Sequence, residues 1–105
     1  MVAHVSIDRD RISNFCRRHH IRRLALFGSV LRDDFRPDSD VDVLVEFDPR
    51  HIPGMEFLTM DQELTALLGR KVDLLTFTGV RQMRNPLRRR AILNNHETIY
   101  AADGS

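Results

Sequence analysis

The strongest constraint on this chain is a Gly-Ser pair that is followed, after ten intervening residues, by two acids entering an apolar segment. Gly28 and Ser29 come directly after the apolar residues 24–27, and Asp40 and Asp42 lead into a second apolar run. Both apolar segments have the length and composition of buried strands. In a strand, residues two apart point to the same side. Asp40 and Asp42 are therefore expected to project together.

This arrangement predicts a metal site beside a phosphate site. Two carboxylates about 6–7 Å apart along a strand repel each other unless a cation lies between them. Oxygen ligands suit Mg²⁺, which completes its shell with water and substrate phosphates. Gly28 lets backbone amides approach a phosphate, and a helix beginning at Ser29 would direct its N–H groups and positive end toward that anion. By itself, the Gly-Ser pair would also suit an ordinary turn with a serine cap.

The acidic pair has two structural explanations that compete with a catalytic site. One is a solvated acidic turn, which is common for any single Asp-x-Asp sequence. The other is a calcium loop, because Asp38, Asp40 and Asp42 have the one-three-five spacing of an EF-hand. That loop would need Gly at position 43 and Glu at position 49, where this chain has Val43 and Pro49. The sequence therefore argues against calcium.

A third acid and one arginine complete the candidate site. Asp73 lies inside an apolar strand, where an unpaired carboxylate would be costly, so we expect it to have a partner such as the metal. The alternative is an edge-strand aspartate that faces water. Arg32 lies one turn beyond Ser29, where it could contact phosphate or orient an acid. A surface ion pair with a neighbouring aspartate is the alternative for Arg32.

Helical and strand periodicities alternate along the chain. This alternation predicts a single α/β domain over residues 1–105, with helices packed on a small mixed β-sheet. The predicted elements are a helix from an N-cap at Ser6 to about His19, a strand over 21–27, a short helix over 30–35, a strand over 41–47, a helix over 54–68 that ends at Gly69, a strand over 72–77, a helix over about 87–95 that opens with Asn85-Pro86, and a short strand over 98–101.

Composition indicates the compartment. Cys16 is the one cysteine, so no internal disulfide can form, and a reducing cytoplasm is the natural setting. No apolar run approaches the roughly 18 residues needed to span a bilayer. Cys16, His19 and His20 lack a second ligand pair at zinc spacing.

Charge is distributed unevenly, although the net charge is only +1. Residues 31–64 contain ten acids and three arginines, whereas residues 70–90 contain seven basic residues and one acid. The acidic block includes the candidate metal site. The basic block could face phosphate, nucleic acid or an acidic partner, although its arginines could equally form a solvated helix face. No aromatic residues alternate with them to stack bases, which disfavours RNA.

The segment GSVLRDDFRPDSDVD, at residues 28–42, closely resembles the signature of the minimal nucleotidyltransferases, a branch of the DNA polymerase β-like superfamily. The resemblance continues through residues 53–56, 69–76 and 85–87, and covers most of the chain from about Ile21 to Tyr100. The Gly-Ser and Asp-x-Asp elements occur across the superfamily, whereas the later segments are typical of the minimal branch. No catalytic position departs from the pattern.

The resemblance implies a nucleotidyltransferase core that transfers AMP from ATP with two Mg²⁺ ions. Asp40 and Asp42 match the ligands of both ions, and Asp73 matches the third carboxylate, which ligates the catalytic ion and helps to accept the proton of the attacking hydroxyl. Gly28 and Ser29 match the nucleotide-binding pair. Family members are typically antitoxins of HEPN-type ribonuclease toxins, and several modify a tyrosine of that partner. A hetero-oligomer with the toxin is therefore expected.

Two other functions remain open at the level of sequence. The chain could be a non-catalytic antitoxin that masks its partner sterically and binds nucleotide only as a structural ligand. It could also be a nucleotidyltransferase that modifies RNA through its basic block. Three acids at catalytic positions argue against a pure binder. A chain of 105 residues has little material for a second substrate pocket, so we expect the acceptor to be another macromolecule.

Overall fold

The structure, a computed structural model, describes residues 7–32, 36 and 39–102. Four strands form one sheet in the order β3-β2-β1-β4. β1 is antiparallel to both β2 and β4, whereas β2 and β3 are parallel, so the sheet is mixed as predicted. The strands are β1 (Ile21–Phe27), β2 (Val41–Phe47), β3 (Val72–Thr76) and β4 (His96–Ala101).

Helices cover both faces of the sheet. They are α1 (Arg9–Arg18), α2 (Phe57–Leu68), α3 (Phe77–Arg81) and α4 (Pro86–Asn94). Leu24 and Leu26 of β1 pack in the cluster formed with α1 and α2, whereas Ala25 and Phe27 pack with α3 and α4. Because both faces of the central strands are buried, these strands read as nearly continuous apolar runs.

Local capping chemistry explains where the longer helices begin and end. The carboxylate of Asp8 accepts hydrogen bonds from the N–H groups of Asp10 and Arg11, at 3.1 and 3.2 Å, and so caps α1. The predicted cap at Ser6, a residue outside the described part of the chain, is therefore wrong. Gly69 ends α2 in the left-handed conformation, as predicted. α2 begins at Phe57 instead of residue 54.

α4 begins as predicted. The side chain of Asn85 accepts hydrogen bonds from the N–H groups of Leu87 and Arg88, and Pro86 occupies the first helical position, where its missing N–H has no cost. Among the described residues, no helix is both long and apolar enough to cross a bilayer.

Two further predictions of local structure differ from the structure. β3 ends at Thr76 instead of residue 77, because the hydroxyl of Thr76 accepts a hydrogen bond from the N–H of Gly79, at 2.9 Å, and caps the short helix α3. The predicted helix over 30–35 is instead a 3₁₀ turn, Gly28–Leu31, after which Arg32 is already extended. Residues 33–35 lie outside the described part of the chain. A turn of four residues has no developed helix dipole, so that argument for phosphate binding does not hold.

Candidate active site

The acids predicted from the sequence lie at one end of the sheet. Asp42 is aligned with Phe27 of the antiparallel strand β1 and with Asp73 of the parallel strand β3. Adjacent strands are about 4.8 Å apart, so aligned residues project side by side from the same face. Asp40 lies directly before β2, two residues from Asp42. The fold thus brings Asp73 next to the Asp-x-Asp pair, although more than 30 residues separate them in sequence.

Burial differs among the three acids. Asp42 is half-buried, whereas Asp40 and Asp73 are exposed. β3 is an edge strand, so no further strand covers the flank of Asp73, and its side chain is accessible to water. The expectation that Asp73 suffers the cost of a buried charge is therefore wrong. Its alignment with Asp42, and not its burial, distinguishes it from an ordinary edge-strand aspartate.

Electrostatic repulsion acts on Asp42. Burial raises the pKa of the Asp42 carboxyl above its ordinary value, and the nearby carboxylates of Asp73 and Asp40 raise it further. The guanidinium groups of Arg88 and Arg32 oppose this effect. Asp73 and Asp40 are therefore each close enough to Asp42 to repel its carboxylate, and a cation beside Asp42 would relieve that repulsion.

The donor chemistry of these acids fits Mg²⁺, because carboxylate oxygens are the ligands that this ion prefers. In their present side-chain positions, however, the residues that the structure describes include no group of three His, Cys, Asp or Glu close enough to hold a metal ion together. The close convergence expected from the sequence is thus not seen. Asp40 and Asp73 are exposed, so a change of rotamer toward Asp42 would meet little steric resistance.

Gly28 is required at its position by two features. Its φ angle is +77°, a left-handed conformation that side chains rarely adopt. A Cβ atom at this position would also overlap the carboxylate of Asp42. The sequence suggested that Gly28 makes room for a phosphate. The structure adds that Gly28 makes room for Asp42.

A cleft of about 990 Å³ opens beside the acids. One wall contains Gly28, Ser29 and Arg32, all three predicted from the sequence as nucleotide-binding residues, and Asp42 also lines the cleft. Its volume is at the upper end of the range for small-molecule sites, about 300–1,000 Å³. The cleft therefore has room for a nucleotide next to the acidic cluster.

The other residues that line the cleft were missed by sequence reasoning. They belong to α4, its C-cap and the start of β4, and they include Arg88, Ala91 and Asn95. The spacing of these three residues places them on one side of the helix. That spacing was visible in the sequence, but only the tertiary fold determines which side of α4 faces the acids.

The Cys-x-x-His-His segment, residues 16–20, contributes to core packing and to a contact between two helices. Cys16 is fully buried, and burial raises the pKa of its thiol to about 12. His19 Nε2 lies 3.0 Å from a carboxylate oxygen of Glu63 on α2, whereas His20 is exposed. These contacts join α1 to α2 on the face of the sheet away from the cleft.

Comparison with known proteins agrees with this geometry. The nucleotidyltransferase domain family matches residues 9–99. MJ1379 of Methanocaldococcus jannaschii, a provisionally named protein adenylyltransferase, is 36% identical over 76 residues, which are 71% of this chain and 73% of that protein. The protein adenylyltransferase MntA of Thermococcus cleftensis is 42% identical over 59 residues, which are 55% of this chain and 58% of MntA.

Solved structures give the same result. A provisionally assigned minimal nucleotidyltransferase matches with a TM-score of 0.62 and 32% identity, over 84% of this chain and 85% of that one. A toxin–antitoxin complex with AMP-PNP matches with a TM-score of 0.62 over 92% of this chain and 76% of that one. Its identity of 18% establishes likeness of fold. The predicted polymerase β-like core is confirmed. Family match, fold and relatives together identify this chain as a nucleotidyltransferase of the minimal nucleotidyltransferase family.

Proposed function

We propose that this chain transfers AMP from ATP to a hydroxyl group of a partner protein. The proposed acceptor is a tyrosine of a HEPN-type ribonuclease toxin, which the modification would silence. The observation that carries the proposal is the alignment of Asp42 with Asp73 beside the nucleotide-sized cleft. The similarity to a protein adenylyltransferase and to a toxin–antitoxin complex supports this choice of acceptor.

Asp40, Asp42 and Asp73 would hold the Mg²⁺ ions, two of which are expected. When bound, Mg²⁺ neutralises charge on the phosphates and on the attacking and leaving oxygens. Within this chain, Asp40 and Asp42 would bind at the triphosphate, whereas Asp73 would bind at the acceptor side. Burial and the neighbouring carboxylates of Asp73 and Asp40 raise the pKa of Asp42, and this unfavourable environment for a lone negative charge supports the assignment.

Other roles of the site residues would be to orient the nucleotide and to accept the proton that the acceptor hydroxyl loses. The hydroxyl of Ser29 would donate a hydrogen bond to a phosphate oxygen, and Arg32 would contribute positive charge on the same wall. The acceptor oxygen forms a bond to the α-phosphorus, the bond from that phosphorus to the bridging oxygen breaks, and pyrophosphate leaves. Asp73 would help to take the proton that the acceptor hydroxyl loses.

A protein acceptor suits the exposure of the site. Asp40 and Asp73 are exposed at the end of the sheet, so a tyrosine on another protein could approach them from solvent. The adjacent cleft is used by the nucleotide in this proposal, and the acceptor surface would come from the partner. The exposure of Asp40 and Asp73 would thus be required for the tyrosine of the partner to reach the site.

Intact-mass measurement tests the proposal. The chain is incubated with ATP, Mg²⁺ and a candidate HEPN-type toxin from the same genome, and an Asp42→Asn variant serves as the control. We expect the partner to gain the mass of one or more AMP groups on a tyrosine, and only with the parent chain. Inhibition of the partner's ribonuclease without a mass gain would instead support a steric antitoxin. Label transferred to RNA and not to protein would support RNA modification.

A Ser29→Ala variant tests the phosphate role of the hydroxyl. Loss of one hydrogen bond to a charged phosphate, worth about 1.5–3 kcal/mol, should weaken ATP use by roughly 10–100-fold at subsaturating ATP. Ser29 lies inside the 3₁₀ turn, whose cap position is Phe27, so no cap is lost and the melting temperature should stay the same. Ser29→Thr keeps the hydroxyl and serves as the control. Unchanged turnover of Ser29→Ala would contradict the phosphate role.

A further inference from the structure

One arginine of the basic block faces the acidic cluster. Arg88 is exposed and, from α4, lines the same cleft as Ser29 and Arg32. Asp42 lines the same cleft. Asp42 precedes Leu44 by two residues, and Leu44 packs in the cluster that includes α4, so the acid and the helix share one face of the sheet.

The neighbouring arginines of α4 have different surroundings. The guanidinium of Arg89 donates a hydrogen bond to the carbonyl of Met83, at 2.7 Å, and so helps to join α3 to α4. Arg90 is exposed, its Nε donates to the carbonyl of Pro86 on its own helix, and it does not line the cleft. The basic block is therefore not a uniform solvated face, since one member points to the candidate active site.

We propose that Arg88, on α4, binds the polyphosphate of the nucleotide in the cleft that Ser29 also lines. The inference rests on the proposed function, because it takes the cleft to be the nucleotide site. The planar guanidinium presents paired donors that match two phosphate oxygens. A polyphosphate between Ser29 and Arg88 would lie beside Asp42, where its negative charge needs compensation. Arg88 thereby makes α4 part of the nucleotide site.

Direct nucleotide binding tests this inference without any partner. ATP and AMP, each with Mg²⁺, are titrated calorimetrically into the parent chain and into Arg88→Ala, Arg88→Lys and Arg90→Ala. For Arg88→Ala we expect ATP affinity to fall about 10–100-fold, because a charge-assisted contact is lost. AMP affinity should change much less, Arg88→Lys should be intermediate, and the control Arg90→Ala should match the parent.

Several outcomes would overturn the assignment of Arg88. Equal loss of ATP and AMP affinity would indicate that Arg88 supports the shape of the cleft, and a lowered melting temperature would accompany such a role. An unchanged ATP affinity, together with a weakened complex with the partner, would assign Arg88 to docking. Failure of the proposed function is distinguishable, since the parent would then bind ATP without transferring AMP to the partner. No binding of ATP by the parent would reject both ideas.

Discussion

Replacement of Asp42 by Asn should abolish nucleotidyl transfer while leaving the metal-free protein at least as stable as the parent. The two side chains have nearly the same shape, so the packing at the end of β2 is kept. A metal site supplies several kcal/mol to a phosphoryl-transfer transition state, so loss of Asp42 as a proposed metal ligand should lower the rate about 1,000-fold or more.

The stability half of this expectation follows from the pKa of Asp42. Burial and the carboxylates of Asp73 and Asp40 raise that pKa above its ordinary value of 3.8. A group with a raised folded-state pKa contributes its stability below its unfolded-state pKa and loses it as the pH rises through the folded-state value. Ionised Asp42 therefore opposes folding at neutral pH. At pH 7, the Asp42→Asn variant should melt at the same temperature as the parent or higher. This difference in melting temperature should disappear at acidic pH.

Asp48 provides a matched control, since it follows the other end of β2. Hydrogen bonds from Arg50 lower the pKa of Asp48 to about 2, the opposite direction to Asp42. Asp48→Asn should therefore give no gain in melting temperature at neutral pH, and transfer should continue. Melting curves across pH and one transfer assay make the comparison. An Asp42→Asn variant that melts lower and still transfers AMP would show that Asp42 is structural.

Ligand should distinguish the parent from the Asp42 variant in the same melting experiment. Mg-ATP at 100 times its Kd stabilises the native state by about 2.7 kcal/mol, which corresponds to roughly 10–20 °C for a domain of this size. The variant should gain much less. An equal gain in both proteins would mean that nucleotide binds without help from Asp42.

Features set by a few adjacent residues were predictable from the sequence. β1 and β2 have the bounds that their apolar runs predict, and Gly69 and Asn85 act at helix ends as expected. In each case, a short-range preference agrees with the tertiary environment. The Asp-x-Asp pair was found for the same reason, because its spacing and its strand context both lie within a few residues.

Features that depend on distant parts of the chain were not predictable. The exposure of Asp73 follows from the edge position of β3, which no local pattern reveals. The sequence does not distinguish the three consecutive arginines of α4, Arg88, Arg89 and Arg90. Only Arg88 lines the cleft. The predicted helix after Ser29 failed for a local reason, because the left-handed Gly28 leads into a 3₁₀ turn instead. The differences at Asp73 and Arg88, in contrast, concern exposure and orientation in the fold.

The requirement for glycine at position 28 leads to a second expectation of large effect. A Gly28→Ala variant should lose transfer by about 100-fold, since misplacement of a catalytic group by about 1 Å can have that consequence. The added Cβ would overlap the carboxylate of Asp42 and push it from its position. The left-handed backbone would also become strained, at a cost of about 1–2 kcal/mol in the free energy of unfolding.

Gly69 is a control position that separates the effect of backbone strain from the effect of displacing the carboxylate of Asp42. It has a φ angle of +70°, close to the +77° of Gly28, but a Cβ atom there would meet nothing within 4 Å. Gly69→Ala should therefore lose a similar 1–2 kcal/mol or so from backbone strain and keep its transfer activity. Urea unfolding of both variants, with transfer measured at a temperature where both are folded, makes the comparison. If Gly28→Ala transferred AMP as well as Gly69→Ala does, the carboxylate of Asp42 would not need the position that Gly28 leaves open, and its role at the reacting phosphate would have to be given up.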